Sequence, residues 1–237
     1  MPSTYIYLFR LTPRDVCRNL HLNGIALHND MLLDIIYDGM ALEVLEVAVP
    51  FGDLRARAYA TAENLLYAQT FFSGKVIWYT PTHWVETQGT VSETNVVGFI
   101  DSNFGNWKPK PTHKDNRAFK DAVDLLPVID NNSFLRWGLR DYYSAVREPG
   151  EDMYFFAYRA IEVVKSAFGD ESAGWTKMHA TLGTSKTRIM TIVDMATHSR
   201  HGNFMKVATK PEKKKSTLRV TRDVLDRYIK HLKTSGP

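Results

Sequence analysis

The chain has 237 residues, 44% of them hydrophobic, and a formal net charge of +4 at pH 7. This length suits one large or two modest domains, each with a buried core. The composition excludes wholesale disorder, the lack of a long apolar run excludes a membrane span, and the mild charge does not by itself indicate nucleic acid.

The single cysteine, Cys17, excludes an intrachain disulfide and a cysteine-based metal site within one chain. No Gly-rich turn or positive helix terminus flanks it, so we interpret it as a packed thiol rather than a nucleophile. The segment from Met1 to Tyr5 has no basic stretch followed by an apolar one, which predicts a cytoplasmic protein. The sequence predicts no cofactor.

The first 110 residues favour strands, and we predict an α+β domain of mixed strands and helix over residues 1–110. The run from Tyr5 to Phe9 is apolar on both faces, which is typical of a central strand. Asp38-Gly39 between two apolar runs predicts a hairpin. The other predicted elements are a helix over 54–72 and strands over 75–84 and 91–100.

Two prolines in three residues, Pro109 and Pro111, interrupt both helix and central strand. We therefore predict a linker from Gly105 to Pro111. The second predicted domain covers residues 113–237.

Helical spacing dominates the second half of the chain, which predicts an all-α bundle. Apolar residues recur from Leu135 to Val146 and from Met153 to Phe168, and the short turn 148–151 between these helices predicts a hairpin. The other predicted helices cover 116–126, ending at Pro127, then 175–182, 186–201, and a final helix that begins near Thr221.

Three titratable side chains lie along one face of the helix before Gly202. Asp194, His198 and His201 are separated by four and three residues, and Arg200 adjoins them. Such a set could supply acid, base and oxyanion stabilisation for cleavage of a phosphodiester. It could also be a solvated helix end whose cations meet the helix dipole. Two His and an Asp could hold a metal, but no other ligand spacing supports this, and we predict no metal site.

Tyr158, Arg159 and Glu162 form a second candidate group on a predicted helix, and Arg159 and Glu162 are three residues apart. They could pair on the helix surface. Alternatively, Glu162 could reach across the bundle to Arg200 or His201.

The segment 206–215 is predicted to be a basic loop with five lysines and one glutamate, which would favour contact with a polyanion and salt-dependent binding. The alternative is a solvated loop, since no aromatic residue interleaves with the lysines. The five lysines are Lys206, Lys210, Lys213, Lys214 and Lys215.

Three short motifs make the helical half resemble the HEPN superfamily, small bundles of prokaryotic toxins, antiphage defence proteins and stress factors. They are Asp141-Tyr142-Tyr143-Ser144-Ala145, Tyr158-Arg159-Ala160-Ile161-Glu162 and Thr197-His198-Ser199-Arg200-His201-Gly202. Their order and spacing carry the likeness. The layout, with an α+β region before a HEPN-like bundle, is similar to a branch that includes proteins of methylamine-utilisation clusters.

The resemblance implies a homodimer formed through the helical domain. In catalytic members it also implies metal-independent RNA cleavage by an Arg, a polar residue and a His four to six residues further on. Arg200-His201 matches the opening of that motif, but residues 202–207 contain no His. Enzyme activity therefore stays open, with Arg200, His201 and His198 as the candidate catalytic residues.

We expect a protein associated with RNA in defence or stress response, with a metal-independent ribonuclease as the most specific form of this hypothesis. One alternative is a non-catalytic interaction or scaffold module. Another is a protein that binds a nucleotide or other small ligand between its domains.

Overall fold

The computed structural model describes residues 4–12, 24–28, 31–37, 43–50, 54–87, 94–96, 117–148, 150, 152–201 and 211–235. The chain divides into two compact units, Met1–Leu126 and Pro127–Pro237. The predicted linker from Gly105 to Pro111 lies outside the described residues.

The first unit contains an antiparallel sheet of six strands in its described part. The order across the sheet is β2-β3-β4-β1-β5-β6, so β1 lies between β4 and β5. An inner position suits a strand with two apolar faces, as the sequence predicts for this segment. The strands are β1 (Thr4–Thr12), β2 (Gly24–His28), β3 (Met31–Tyr37), β4 (Glu43–Pro50), β5 (Trp78–Thr87) and β6 (Thr94–Val96).

Strands β3 and β4 pair as the predicted hairpin, with Tyr37 opposite Glu43 at the turn end. The Asp38-Gly39 turn itself lies outside the described residues. The predicted strand over 75–84 begins three residues later than expected, at Trp78, because Lys75 to Ile77 form an irregular connection after the preceding helix.

Helix α1 (Leu54–Ser73) matches the helix predicted over 54–72, and it packs on β1 and β4. Phe9 of β1 is fully buried against it. The Phe9 ring meets the rings of Tyr59 and Tyr79 edge to face, with centroids 5.2 and 5.1 Å away. These aromatic contacts join α1 to two neighbouring strands and form part of the core of the first unit.

The predicted helical bundle is confirmed in the second unit. Helix α2 begins in the first unit and ends in the second, and five further helices follow it among the described residues. The helices are α2 (Arg117–Asp130), α3 (Ser133–Arg147), α4 (Asp152–Ser166), α5 (Glu171–Leu182), α6 (Lys186–Arg200) and α7 (Pro211–Ser235).

Helices α3 and α4 form the predicted antiparallel hairpin. Gly138 of α3 lies against the backbone of Ala160 and the side chain of Val164, and Asp141, one turn further along α3, contacts Arg159. A Cβ atom at Gly138 would also lie 3.0 Å from a methyl group of Leu225 on α7. The missing side chain therefore lets three helices approach closely.

Helix α7 supplies much of the core of the second unit. Its buried residues include Val224, Leu225 and Tyr228. Full burial of each such side chain contributes on the order of 2 kcal/mol. The Tyr228 hydroxyl donates a hydrogen bond to Oδ1 of Asn132, at 3.2 Å, and the same oxygen accepts the Leu135 backbone N–H that begins α3.

Three predicted helix boundaries are wrong, and one of them is the start of α5, which lies at Glu171 rather than at residue 175. Pro127 does not end its helix, because α2 continues to Asp130. A proline lacks a backbone N–H but its carbonyl still accepts, and here it takes the side-chain amide of Asn131 at 2.8 Å. The last helix begins at Pro211 rather than near Thr221. Proline is well suited to the first position of a helix, where its missing N–H costs nothing.

Candidate functional site

A cleft of about 440 Å³, here called the basic cleft, opens between α6 and the first turns of α7. Its walls carry Arg188, Lys213 and Arg219 against one carboxylate, Asp194. Arg188 is partly neutralised by Asp223, 3.7 Å away. The remaining lining residues are Tyr154, Thr187, Thr191, Met195, Ser216, Thr217 and Val220.

Two cations of the basic cleft are available for a ligand. Lys213 and Arg219 are exposed, and neither side chain makes an ion pair or hydrogen bond within the described ranges. Ser216 and Thr187 add hydroxyl-bearing side chains to the lining of the cleft. Ammonium, guanidinium and hydroxyl donors are the groups that proteins use to bind phosphate oxygens. The arrangement can therefore hold an anion bearing several oxygens.

The structure brings together two of the residues singled out in the sequence, Asp194 and Lys213, on opposite walls of the basic cleft. His198 lies one turn beyond Asp194 on α6 and is half-buried, while His201 is exposed in the turn after the helix. The His201 backbone N–H donates to the Thr197 carbonyl at 3.2 Å. Arg200 is the last residue of α6, and its side chain lies outside what the structure describes.

The prediction of a loop over 206–215 is wrong for residues 211–215, which are helical. Lys213, Lys214 and Lys215 belong to the opening turns of α7, so their backbone is helical and only their side chains can adapt to a ligand. Lys206 and Lys210 lie outside the described residues. The predicted basic segment thus contributes Lys213 to the cleft from a rigid element.

The predicted pairing of Arg159 with Glu162 is also wrong. Arg159 on α4 donates through Nε to Asp141 on α3 at 2.7 Å, and through a second nitrogen to the other carboxylate oxygen. Asp141 is fully buried. Its hydrogen bonds raise the pKa of Arg159 above its ordinary value, although burial acts in the opposite direction. Glu162 instead accepts the hydroxyl of Tyr158 at 3.2 Å.

A second cavity, here called the aromatic groove, lies on the other side of α6 and measures about 300 Å³. One wall holds three nearly parallel rings: Trp175 lies 6.4 Å from Tyr158 and 5.9 Å from His179, with interplanar angles of 16° and 27°. His179 is held by a 2.7 Å hydrogen bond between Nδ1 and the Thr184 hydroxyl. The remaining lining residues are Ser172, Thr176, Lys186, Ile189, Met190 and Val193.

The sequence contains a local signal for this groove that lies outside the motifs quoted above. Trp175 and His179 are four residues apart, which places them on one helix face. Asp141 and Arg159 both fall in motifs quoted above, but their contact joins residues 18 apart across a helical hairpin. Local spacing does not reveal such a pair.

Two structural tests bear on the class of site. Among the residues that the structure describes, no group of three His, Cys, Asp or Glu side chains is placed to hold a metal ion. In the same part of the chain, no helix combines the length and the apolar character needed to cross a membrane.

Residues 123–233 match a family described as the C-terminal domain of DUF8168, a domain of unknown function. The match begins inside α2, close to the start of the second unit, and ends near the end of α7. The helical unit is therefore the part of the chain that is similar to this family. No curated protein and no solved structure matches the chain.

Proposed function

We propose that this protein binds RNA and that the basic cleft between α6 and α7 holds the phosphodiester backbone. The observation that carries the proposal is the pair of exposed cations, Lys213 and Arg219, in a cleft that also presents hydroxyl groups. The cleft holds three cationic side chains against one lining carboxylate, and although Asp223 partly neutralises Arg188, the remaining positive charge attracts anions. The start of α7 adds the positive end of a helix dipole.

We also propose that the helical unit has a HEPN-like fold. The motifs around Asp141, Arg159 and His201 suggest a HEPN-like bundle that follows an α+β domain. This likeness supports RNA as the polyanion, a homodimer through the helical domain, and a setting in defence or stress response. Light scattering of the purified chain would show whether its mass in solution is twice that of one protomer.

Binding is the form of RNA association that the geometry supports best. Cleavage would need a general base and an oxyanion donor at one position, and the described contacts join neither His198 nor His201 to another catalytic group. We therefore expect binding without metal-independent cleavage. The test compares wild type with His201→Ala on labelled single-stranded RNA in EDTA. Cleavage by wild type that disappears in the variant would establish a ribonuclease instead.

The central experiment measures the affinity for labelled single-stranded RNA as a function of salt. A cation that neutralises one phosphate contributes about −0.7 to the slope of log affinity against log salt. We expect Lys213→Ala and Arg219→Ala each to weaken binding and to reduce the slope by about that amount.

Lys233→Ala is the matched control for this experiment. Lys233 is an exposed lysine on the same helix, and about 30 Å of helix separates it from Lys213. The control removes the same formal charge, but far from the cleft, so it should leave the slope unchanged. Equal effects of all three substitutions would show attraction by overall charge and contradict a site at the cleft. No binding at low salt would overturn the proposed function.

A further inference from the structure

The aromatic groove and the basic cleft share one helix as their common wall. On α6, Thr187, Thr191 and Asp194 line the basic cleft, whereas Ile189, Met190 and Val193 line the groove. An α-helix with its side chains is about 10 Å across. A short single strand can therefore cross α6 and reach both cavities.

We propose that the aromatic groove takes a nucleobase of a single-stranded RNA whose neighbouring phosphates lie in the basic cleft. This inference rests on the proposed function and extends it, because it adds a base-binding subsite to a backbone-binding one. The subsite would favour single strands, since a base in a duplex is stacked and paired and cannot enter a side groove.

The chemistry of the groove suits a flat, weakly polar ring. Trp175 lies in a set of three nearly parallel rings with Tyr158 and His179, which forms a wall on which a base can stack. The aliphatic side chains of α6 line the groove as well, and Met190 is 42% exposed. The volume of about 300 Å³ is at the lower end for small-molecule sites, which suits one base rather than a larger ligand.

Charge also favours a nucleotide over an apolar peptide. Lys186 lines the groove and is exposed, and the cavity on the other side of α6 carries Lys213 and Arg219. A chain that alternates a flat ring with an anionic phosphate matches this succession of aromatic surface and cations. Stacking alone carries little sequence information because every base has a π-face, so we expect only weak preference among the four bases.

The test compares two labelled probes of equal length and charge: a short oligouridine, and a tetrahydrofuran phosphodiester that has no bases. Stacking of one base contributes about a 5- to 150-fold gain in affinity. Wild type should therefore bind the oligouridine more tightly than the base-free probe by a factor in this range. The ratio of the two affinities is the readout, because it cancels changes in charge.

Two variants locate the effect. Trp175→Ala removes the central ring, and Met190→Glu places a polar group in the groove at a side chain that is 42% exposed and so does not depend on core packing. Both should reduce the ratio to about one. Trp137→Ala, at an exposed tryptophan on α3 that does not line the groove, should keep the wild-type ratio. Circular dichroism would confirm that each variant remains helical.

The possible results separate the two proposals. If wild type binds both probes equally and in a salt-dependent manner, the base subsite is overturned and the proposed function stands. If the affinity ratio keeps its wild-type value in both Trp175→Ala and Met190→Glu, bases bind elsewhere and the assignment to the groove is overturned. If wild type binds neither probe at low salt, both proposals fail.

Discussion

Arg159 on α4 and Asp141 on α3 form a two-point ion pair in which the carboxylate is fully buried and the guanidinium side chain is 36% exposed. The guanidinium carbon also lies 5.5 and 5.4 Å from the ring centroids of Phe155 and Phe156. The cation thus neutralises a charge inside the hairpin while its own face is covered by aromatic rings.

We expect Arg159→Ala to lower the free energy of unfolding by about 3 kcal/mol, because it leaves the Asp141 carboxylate buried without its main partner. Arg140→Ala is the control. Arg140 also approaches Asp141, at 3.5 Å, but its side chain is 47% exposed, so the expected loss is below about 1 kcal/mol. Urea denaturation followed by helical circular dichroism measures both. Equal losses would show that the α4 arginine has no special role.

The Tyr228 phenol should make the helical unit sensitive to alkali. Burial raises the pKa of Tyr228 in the folded protein, whereas the unfolded chain ionises near pH 10. A raised folded-state pKa means that the stabilisation is complete below about pH 10 and is lost as the pH rises toward the folded value. Between about pH 9 and about pH 11, the free energy of unfolding should therefore fall less in Tyr228→Phe than in wild type.

At neutral pH the same substitution should cost about 1 kcal/mol, because the hydrogen bond to Asn132 is lost. Burial raises the pKa of Tyr142 and Tyr154 as well, so the alkaline loss should shrink rather than vanish. Urea titrations at several pH values measure both effects. Parallel pH profiles for wild type and Tyr228→Phe would rule out this tyrosine as a source of the sensitivity.

The missing side chain of Gly174 permits a close backbone contact, which a residue with a Cβ atom would prevent. A Cβ atom there would clash with the carbonyl oxygen of Gly169, in the turn before α5. Gly174→Ala should therefore destabilise the fold by about 2 kcal/mol, since the backbone must shift. It should also displace the adjacent Trp175 and weaken the aromatic groove. Gly150→Ala, where a Cβ atom has open space, should leave the melting temperature nearly unchanged.

Gln69 on α1 is buried, and its two side-chain polar atoms have no hydrogen-bond partner within the described part of the chain. Buried polar groups without partners cost about 1 to 3 kcal/mol. Gln69→Leu should therefore stabilise the first unit by about 1 kcal/mol. Hydrogen exchange of the α1 amides reports this directly, because two units need not unfold together. Faster exchange in the variant would contradict the prediction.

The sequence predicts the helical hairpin and the β3–β4 hairpin because their signals are local. Apolar residues at helical spacing and a short turn define α3 and α4, and Asp38-Gly39 between apolar runs indicates the strand pair. Apolar periodicity does not reveal the start of α7, because its first turns are polar, although Pro211 and Glu212 are typical helix-opening residues. Periodicity alone therefore underestimates a helix whose first turns face solvent.

The two cavities could not be predicted in the same way. The basic cleft is lined by residues of α6 and α7. The aromatic groove is lined by Tyr158 of α4 together with residues of α5 and α6. Both depend on how helices pack, which the linear pattern does not specify. The sequence indicates separate roles for Asp194 and Lys213, and only the packing of α6 against α7 places them around one cleft.

Helix α7 contributes to the cleft and to the core at once: Lys213 and Arg219 line the cavity, while Val224 and Leu225 are buried further along the same helix. Unfolding of the bundle must therefore destroy the cleft, so any ligand that occupies it raises the melting temperature by mass action. At a hundredfold excess over the dissociation constant, the gain is about 2.7 kcal/mol. A thermal-shift screen of RNAs and nucleotides can thus identify an occupant without labels.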